Sequence, residues 1–272
     1  MRRDAAEFFE KDAALITPQE LQSVRAQYER DWNKWPVQYG APCIDRNHNG
    51  RYDPPPAFSA TFTADDLIAG GYDEPGLAGA ALNFPAGQVI WTVCNDLDEN
   101  LTRLLQGSLP LGLEVQITLW SYNHPALANT FFRRVRLINK GGVAIDTLGT
   151  RGAFWINDMY LGQWTDPDLG WFGDDLLGCD PASNMGYVYN GGTMDREFAA
   201  FHLPPPALGY DLVQGPLAPL PGGTAIFDFK KRAGFSKRFG GGRMTEASPR
   251  PVTYISIGWK CGNRGKGAAC AS

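Results

Sequence analysis

No apolar run in the sequence approaches the roughly 20 residues that a membrane-spanning helix needs, so no such helix is expected. Histidine is scarce, with three residues, and the five cysteines (Cys43, Cys94, Cys179, Cys261 and Cys270) show no C-x-x-C spacing. A Cys/His zinc site therefore has no basis. The nucleophile elbow G-x-S-x-G, the zinc motif H-E-x-x-H and the phosphate loop G-x-x-x-x-G-K-[ST] are all missing, which removes the commonest hydrolase and nucleotide-binding signatures. His48, His124 and His202 lie far apart with no matching nucleophile and read as surface or loop residues. The start, Met1-Arg2-Arg3-Asp4-Ala5-Ala6-Glu7-Phe8-Phe9-Glu10, has no apolar stretch of the kind that marks a secretory signal. Either the protein is cytoplasmic or its true N-terminus lies upstream.

What is abundant is punctuation. Of 272 residues, 32 are Gly and 20 are Pro, which favours many short elements joined by turns over a helical bundle. Charge is unevenly spread. Residues 1–229 hold 15 Lys+Arg against 28 Asp+Glu, a balance of −13, whereas residues 230–272 hold 10 against one, a balance of +9. The body is acidic and the tail basic. The odd cysteine count leaves at least one thiol unpaired within the chain, and the scattered cysteines suit either an oxidising compartment or a buried core.

One helix is announced by its cap. Thr17-Pro18-Gln19-Glu20 supplies a capping hydroxyl, a proline at the first helical position and a carboxylate three residues after the cap. Leu21, Val24, Tyr28 and Trp32 follow at spacings of three and four, so the helix is expected to reach about Asn33 and stop before Pro36. From residue 87 the period changes to two. Residues 88–94, 113–121 and 131–139 are rich in β-branched and aromatic side chains and predict strands. Further strands are expected at 154–164, 186–189, 224–230 and 252–259. The fold class expected is mainly β, an antiparallel β-sandwich with an N-terminal α-helix and long Gly/Pro/Asp-rich loops. The expected division is a helical region with a metal-type loop (1–53), a linker (54–86), the sandwich body (87–230) and a flexible basic tail (231–272).

Two oxygen-rich stretches carry the candidate chemistry. In Asp45-Arg46-Asn47-His48-Asn49-Gly50-Arg51-Tyr52-Asp53, oxygen side chains stand at positions 1, 3, 5 and 9, glycine stands at position 6, and position 7, Arg51, offers its carbonyl. A hard cation such as Ca2+ needs six to eight oxygens from a compact loop of this kind. The bidentate Glu of a full EF-hand is replaced by Pro56 at position 12, so the loop resembles the shorter calcium loops of dockerin and thrombospondin type 3 modules. The plain alternative is an Asx-rich turn without metal. The second stretch, 164–180, places Asp166, Asp168, Asp174, Asp175 and Asp180 within fifteen residues. Such carboxylates repel unless a cation or strong hydrogen bonds compensate, and Ca2+ is the expected compensator. The enzymatic alternative pairs two of these carboxylates with Trp164 and Trp171 as a sugar platform. A third acidic group, Asn95-Asp96-Leu97-Asp98-Glu99, reads as a solvated turn first and as a metal site second. The tail from Lys230 to Arg243 mixes cations with aromatics, but the acidic body opposes the field that nucleic acid requires. No nucleic-acid partner is expected.

These stretches, with Asp4–Phe9, Ile16–Leu21, Tyr28, Asp31-Trp32, Trp35-Pro36, Gly40–Pro42, Val89–Trp91, Asn95–Asp98, Leu137–Gly141, Gln163–Gly170, Gly173–Asp175, Gly178–Asp180 and Gly186–Gly191, resemble one family. It is the N-terminal region of large secreted bacterial proteins that often end in a type IX secretion sorting domain, a family without an established activity. The resemblance covers roughly residues 4–230, judged motif by motif. It implies an extracellular or cell-surface location, where millimolar calcium is available; the role read for such a module is structural or adhesive, with a surface glycan or a protein as the candidate partner. Residues 147–157 look like an insertion relative to the pattern, and the basic tail departs from it. The lack of a signal and a sorting domain suggests a fragment. The reading at this point is a non-enzymatic calcium-binding module with no catalytic residues assigned, and a carbohydrate-active or glycan-binding module is its rival. The sequence sets no oligomeric state.

Overall fold

The computed structural model describes residues 1–56, 62–77, 87–154, 156, 160–180, 185–213, 217–227, 230–237 and 255–260. Its helices are α1 (Arg2–Phe8), α2 (Pro18–Asn33), α3 (Ala64–Gly70), α4 (Glu99–Gln106) and α5 (Arg196–Ala199). The strands are β1 (Cys43–Ile44), β2 (Glu74–Pro75), β3 (Gln88–Asn95), β4 (Leu113–Ser121), β5 (Phe131–Asn139), β6 (Val143–Ala144) and β7 (Arg151–Gly152), then β8 (Tyr160–Thr165), β9 (Asp175–Asp180), β10 (Met185–Asn190), β11 (Ala207–Asp211), β12 (Leu217–Phe227), β13 (Lys230–Lys237) and β14 (Ile255–Lys260). The strands form several small antiparallel sheets of two or three strands, with few helices, and none of the sheets described closes into a barrel. The protein is mainly β.

Contacts divide the chain into two units, Met1–Asn95 with Glu114–Arg136, and Asp96–Leu113 with Leu137–Ser272. In the first unit α2 starts where its cap demands. Thr17 Oγ1 accepts the Glu20 N–H at 3.2 Å, and Glu20 Oε2 accepts the Thr17 N–H at 2.9 Å. The two orphan donors are thereby satisfied reciprocally. The helix ends at Asn33, three residues before Pro36. Its apolar stripe is only partly used: Val24 is buried with Ala5 and Ile16, against Ala6, Phe9 and Leu21, whereas Tyr28 is exposed. Arg2 fastens α1 to the chain before α2 by donating to the Ile16 carbonyl at 2.9 Å.

The sheet β3–β4–β5 follows the period-two pattern read from the sequence. Ile90 pairs with Leu119 and Val93 with Gln116. One face buries Gln116 and Thr118, and Gln116 is satisfied by the Tyr39 carbonyl, Glu114 and Arg136. Ile90, Phe131 and Val135 alternate onto the opposite face and are exposed.

In the second unit, β9–β10–β11 packs Val188 and Leu169 against Leu177, Leu208 and Tyr210. The segment read as an insertion holds β7, which pairs with β6 across a turn at Asp146, whose Oδ1 accepts the N–H groups of Leu148 and Thr150. Four strand expectations shift. The strand expected at 154–164 is β8, Tyr160–Thr165, paired with β14, while Phe154 offers its carbonyl to Asn139 instead of a ladder. The stretch expected as a strand at 224–230 takes in the end of β12 at Phe227 and the start of β13 at Lys230, which pair with each other, with 228–229 outside the described residues. That expected at 186–189 is Met185–Asn190, and that expected at 252–259 is Ile255–Lys260 among the described residues, with 252–254 lying outside them. Strands β9 and β11 were not expected at all. The charge boundary near residue 231 falls inside β13, and the stretch 54–86 holds α3 and β2.

Candidate functional site

Strand β1 pairs with β2 through Cys43 with Pro75 and Ile44 with Glu74, and the chain leaves β1 directly into the loop at Asp45. The loop then folds on its own oxygens. Asp45 Oδ1 accepts the N–H of Asn49 at 3.2 Å and Asp45 Oδ2 accepts that of Gly50 at 2.9 Å. Asn47 Oδ1 accepts from the Asn49 N–H at 3.1 Å, and Asn49 Oδ1 from the Arg51 N–H at 2.8 Å. Gly50 makes the reversal at φ 75°, a conformation that costs glycine nothing. Asp53 closes the ring. Its Oδ2 accepts from Asn49 Nδ2 at 2.6 Å and from Asn47 Nδ2 at 3.1 Å, and these donors hold its carboxyl below the usual range.

The loop is anchored by residues that sequence patterns did not reveal. Asp73 is fully buried, and its two oxygens accept the N–H groups of Arg46 at 2.9 Å and Asp53 at 2.8 Å. Glu74, also buried, forms an ion pair with Arg46; burial pushes its carboxyl up, with Arg46 opposing. Tyr52 donates its hydroxyl to the Trp32 carbonyl at 2.8 Å, joining the loop to α2, and burial raises its phenol. Gly71-Tyr72-Asp73 carries no periodic or motif signal, and only the β1–β2 pairing brings Asp73 to the loop.

Among the described residues no group of three or more His, Cys, Asp or Glu side chains is gathered to hold a metal. What the loop offers a hard cation is a mixed set: the carboxylates of Asp45 and Asp53, the amide oxygens of Asn47 and Asn49, and the Arg51 carbonyl. Each amide oxygen already accepting one N–H keeps a second lone pair. The set fits an oxygen-seeking ion, provided the two Asn amides turn away from Asp53.

The second candidate stretch is less united. Asp166 and Asp168 are exposed, Asp174 ends a 3-10 turn (Phe172–Asp174), and Asp175 opens β9 at 3 % exposure. Asp175 Oδ2 accepts the Leu169 N–H at 3.0 Å. Its carboxyl is pushed up by burial, against that hydrogen bond, and further by the charges of Asp174, Asp168 and Asp195. Asp180 ends the same strand, five residues on and so roughly 16 Å away at about 3.3 Å per residue. One ion cannot take both Asp180 and Asp175. Trp171 lies under the Arg196 guanidinium, 4.7 Å from its ring centre, while the side chain of Trp164 lies outside the described residues. The residue that organises this stretch is Asp195, fully buried, which accepts from the N–H groups of Trp171, Glu197 and Phe198. The third acidic group is a pair of backbone caps. Asp98 caps α4, and Asp96 accepts the N–H groups of Leu111 and Leu113.

Cys43 and Cys94 are free thiols, and the side chains of Cys179, Cys261 and Cys270 lie outside the described residues. No helix among the described residues is long and apolar enough to cross a membrane. Comparisons with protein-family models, with curated proteins and with solved structures return no match.

Proposed function

We propose that the chain is a non-enzymatic, calcium-stabilised module of a secreted or cell-surface protein, built as an antiparallel β-sandwich and serving a structural or adhesive role. The observation that carries the reading is the Asp45–Asp53 loop. Gly50 takes the left-handed turn at the sixth position, its N–H sits on the first-position carboxylate, and every oxygen side chain of the loop is drawn into one network. A calcium loop needs this same glycine reversal and oxygen side chains at these positions. Asp45, Asn47, Asn49, Arg51 and Asp53 would hold the ion, which supplies charge neutralisation and no chemistry. The sandwich rests on the exposed apolar sheet face of Ile90, Phe131 and Val135, against which a second layer would pack. The location and the family rest on the sequence resemblance, and the millimolar calcium outside cells suits a loop with only two carboxylates.

Thermal unfolding with calcium and with chelator tests the central claim. At free calcium about 100 times Kd the ion adds about 2.7 kcal/mol to the folded state, so the melting temperature rises by several degrees. An unchanged melting curve on chelation removes the calcium reading.

A second reading places glycan binding or cleavage on 164–180. Asp175 favours it, since a carboxyl held above its ordinary range suits a general acid. Arg196 over Trp171 weighs against it by covering the ring a sugar would stack on. A glycan panel giving neither binding nor turnover removes this reading.

A further inference from the structure

The loop's most deeply buried carboxylate is not one of its candidate ligands. Asp73 lies outside the loop, 20 residues beyond Asp53, with no exposed surface, and each of its oxygens is committed to a backbone N–H. Those two N–H groups belong to Arg46 and Asp53, the second and the last of the loop's nine residues. One rigid side chain therefore sets the span between the ends of the loop. The bond is returned from the other side, because the Asp73 N–H donates to the Asp53 carbonyl at 2.9 Å, and β2 continues the contact through Glu74 opposite Ile44.

We infer that Asp73 is the positioning residue of the calcium loop, and that calcium binding in turn fixes the α3–β2 segment to it. The inference rests on the calcium reading above. Gathering five oxygens from a free nine-residue loop costs backbone entropy for every residue fixed. A loop whose ends are already held binds its ion at a smaller ordering cost. Linkage makes the effect reciprocal: what Asp73 does for the ion, the ion does for the contacts of Asp73.

The experiment is a calorimetric calcium titration of the full chain and of three variants, Asp45→Ala, Asp73→Asn and Glu74→Gln. Asp45→Ala identifies the heat that belongs to the loop. Asp73→Asn keeps one acceptor but turns an NH2 toward the other backbone N–H, and is expected to weaken calcium roughly tenfold or more, as loss of a group that orients metal ligands does. Glu74→Gln removes the charge but keeps a side-chain oxygen to accept from Arg46, and it leaves both loop N–H groups on Asp73, so it is expected to stay within about threefold. In the unaltered chain, calcium should slow amide exchange at Asp53 and also at Asp73, outside the ligand set. Unchanged affinity in Asp73→Asn overturns the inference, and so does an equal loss in Glu74→Gln. If Asp73→Asn fails to fold, the exchange result decides: slowing at Asp73 supports the role and no change overturns it. A wild-type chain that takes up no calcium overturns the calcium reading itself and the role of Asp73 with it.

Discussion

The backbone N–H of Trp171 donates to the carboxylate of Asp195 at 3.0 Å, tying the acidic loop after β8 to the first turn of α5. The same carboxylate caps that helix through Glu197 and Phe198, so one side chain satisfies donors from two segments. Gly170 stands so close to it that a β-carbon there would collide with the Asp195 carboxylate.

Replacing Asp195 by alanine is therefore expected to lower the melting temperature by several degrees, with Asp195→Asn between. Exchange of the Trp171, Glu197 and Phe198 amides should quicken together. The N–H of Phe198, foremost, and those of Trp171 and Glu197 hold the Asp195 carboxyl below its usual range. Its contribution is thus complete above the unfolded carboxyl value near 3.9 and is lost as pH falls toward the depressed folded value. A variant that is as stable as the parent at pH 7 would show that the bonds are dispensable.

At the other end of the chain, Thr17→Ala removes the cap of α2 and should cost about 1 kcal/mol, in the range of N-cap deletions. Its partner Glu20 also receives Lys11, and the carboxyl is drawn down to about 2, by Lys11 first and then by Thr17. Stability owed to Glu20 is present above pH 4.5 and disappears as pH falls through that low value. Denaturant titrations at pH 7 and pH 2 check both statements. The Thr17→Ala loss should be larger at pH 7, where Glu20 is ionised and returns the bond.

The cap of α2 was legible because its signal is local: four consecutive residues specify it. The strands β3, β4 and β5 were legible for a similar reason, since alternation within nine residues is enough. Asp73 and Asp195 were not, because each acts on backbone groups more than 20 residues away, through strand pairing and loop closure that no spacing rule encodes. The extent of the acidic run 166–180 was also not legible. Proximity in sequence suggested one cluster, but Asp175–Asp180 is a strand, and a strand carries its ends apart. Asp96 and Asp98 were sensed as a turn, and the backbone N–H groups they serve became visible only in three dimensions.

Asp175 gives a prediction of opposite sign. Burial raises its carboxyl, so its charged form opposes folding at neutral pH, and the penalty fades as pH falls through the raised value toward 4. Its other oxygen, Oδ1, is buried without a hydrogen-bond partner. Asp175→Asn should keep the bond from Leu169 and raise the melting temperature at pH 7 in chelator, and the gain should vanish near pH 4. A destabilised Asp175→Asn under these conditions would mean that the charge itself is needed.

Cys43 and Cys94 offer a comparison within one molecule. Cys94 is exposed at the end of β3, whereas Cys43 is half-buried on β1 beside the loop. Burial foremost, then the charges of Asp73 and Asp45, push the Cys43 thiol up to about 11. Only the thiolate alkylates at an appreciable rate, so at pH 8.5 iodoacetamide should label Cys94 well before Cys43, as peptide mass analysis would record. Because Asp73 is one of the two charges acting on Cys43, Asp73→Asn should bring the thiol down and speed its labelling, whereas Glu74→Gln should leave it slow. Equal labelling of Cys43 in all three proteins would show that burial alone holds the thiol, and that the Asp73 carboxylate exerts no measurable field at β1.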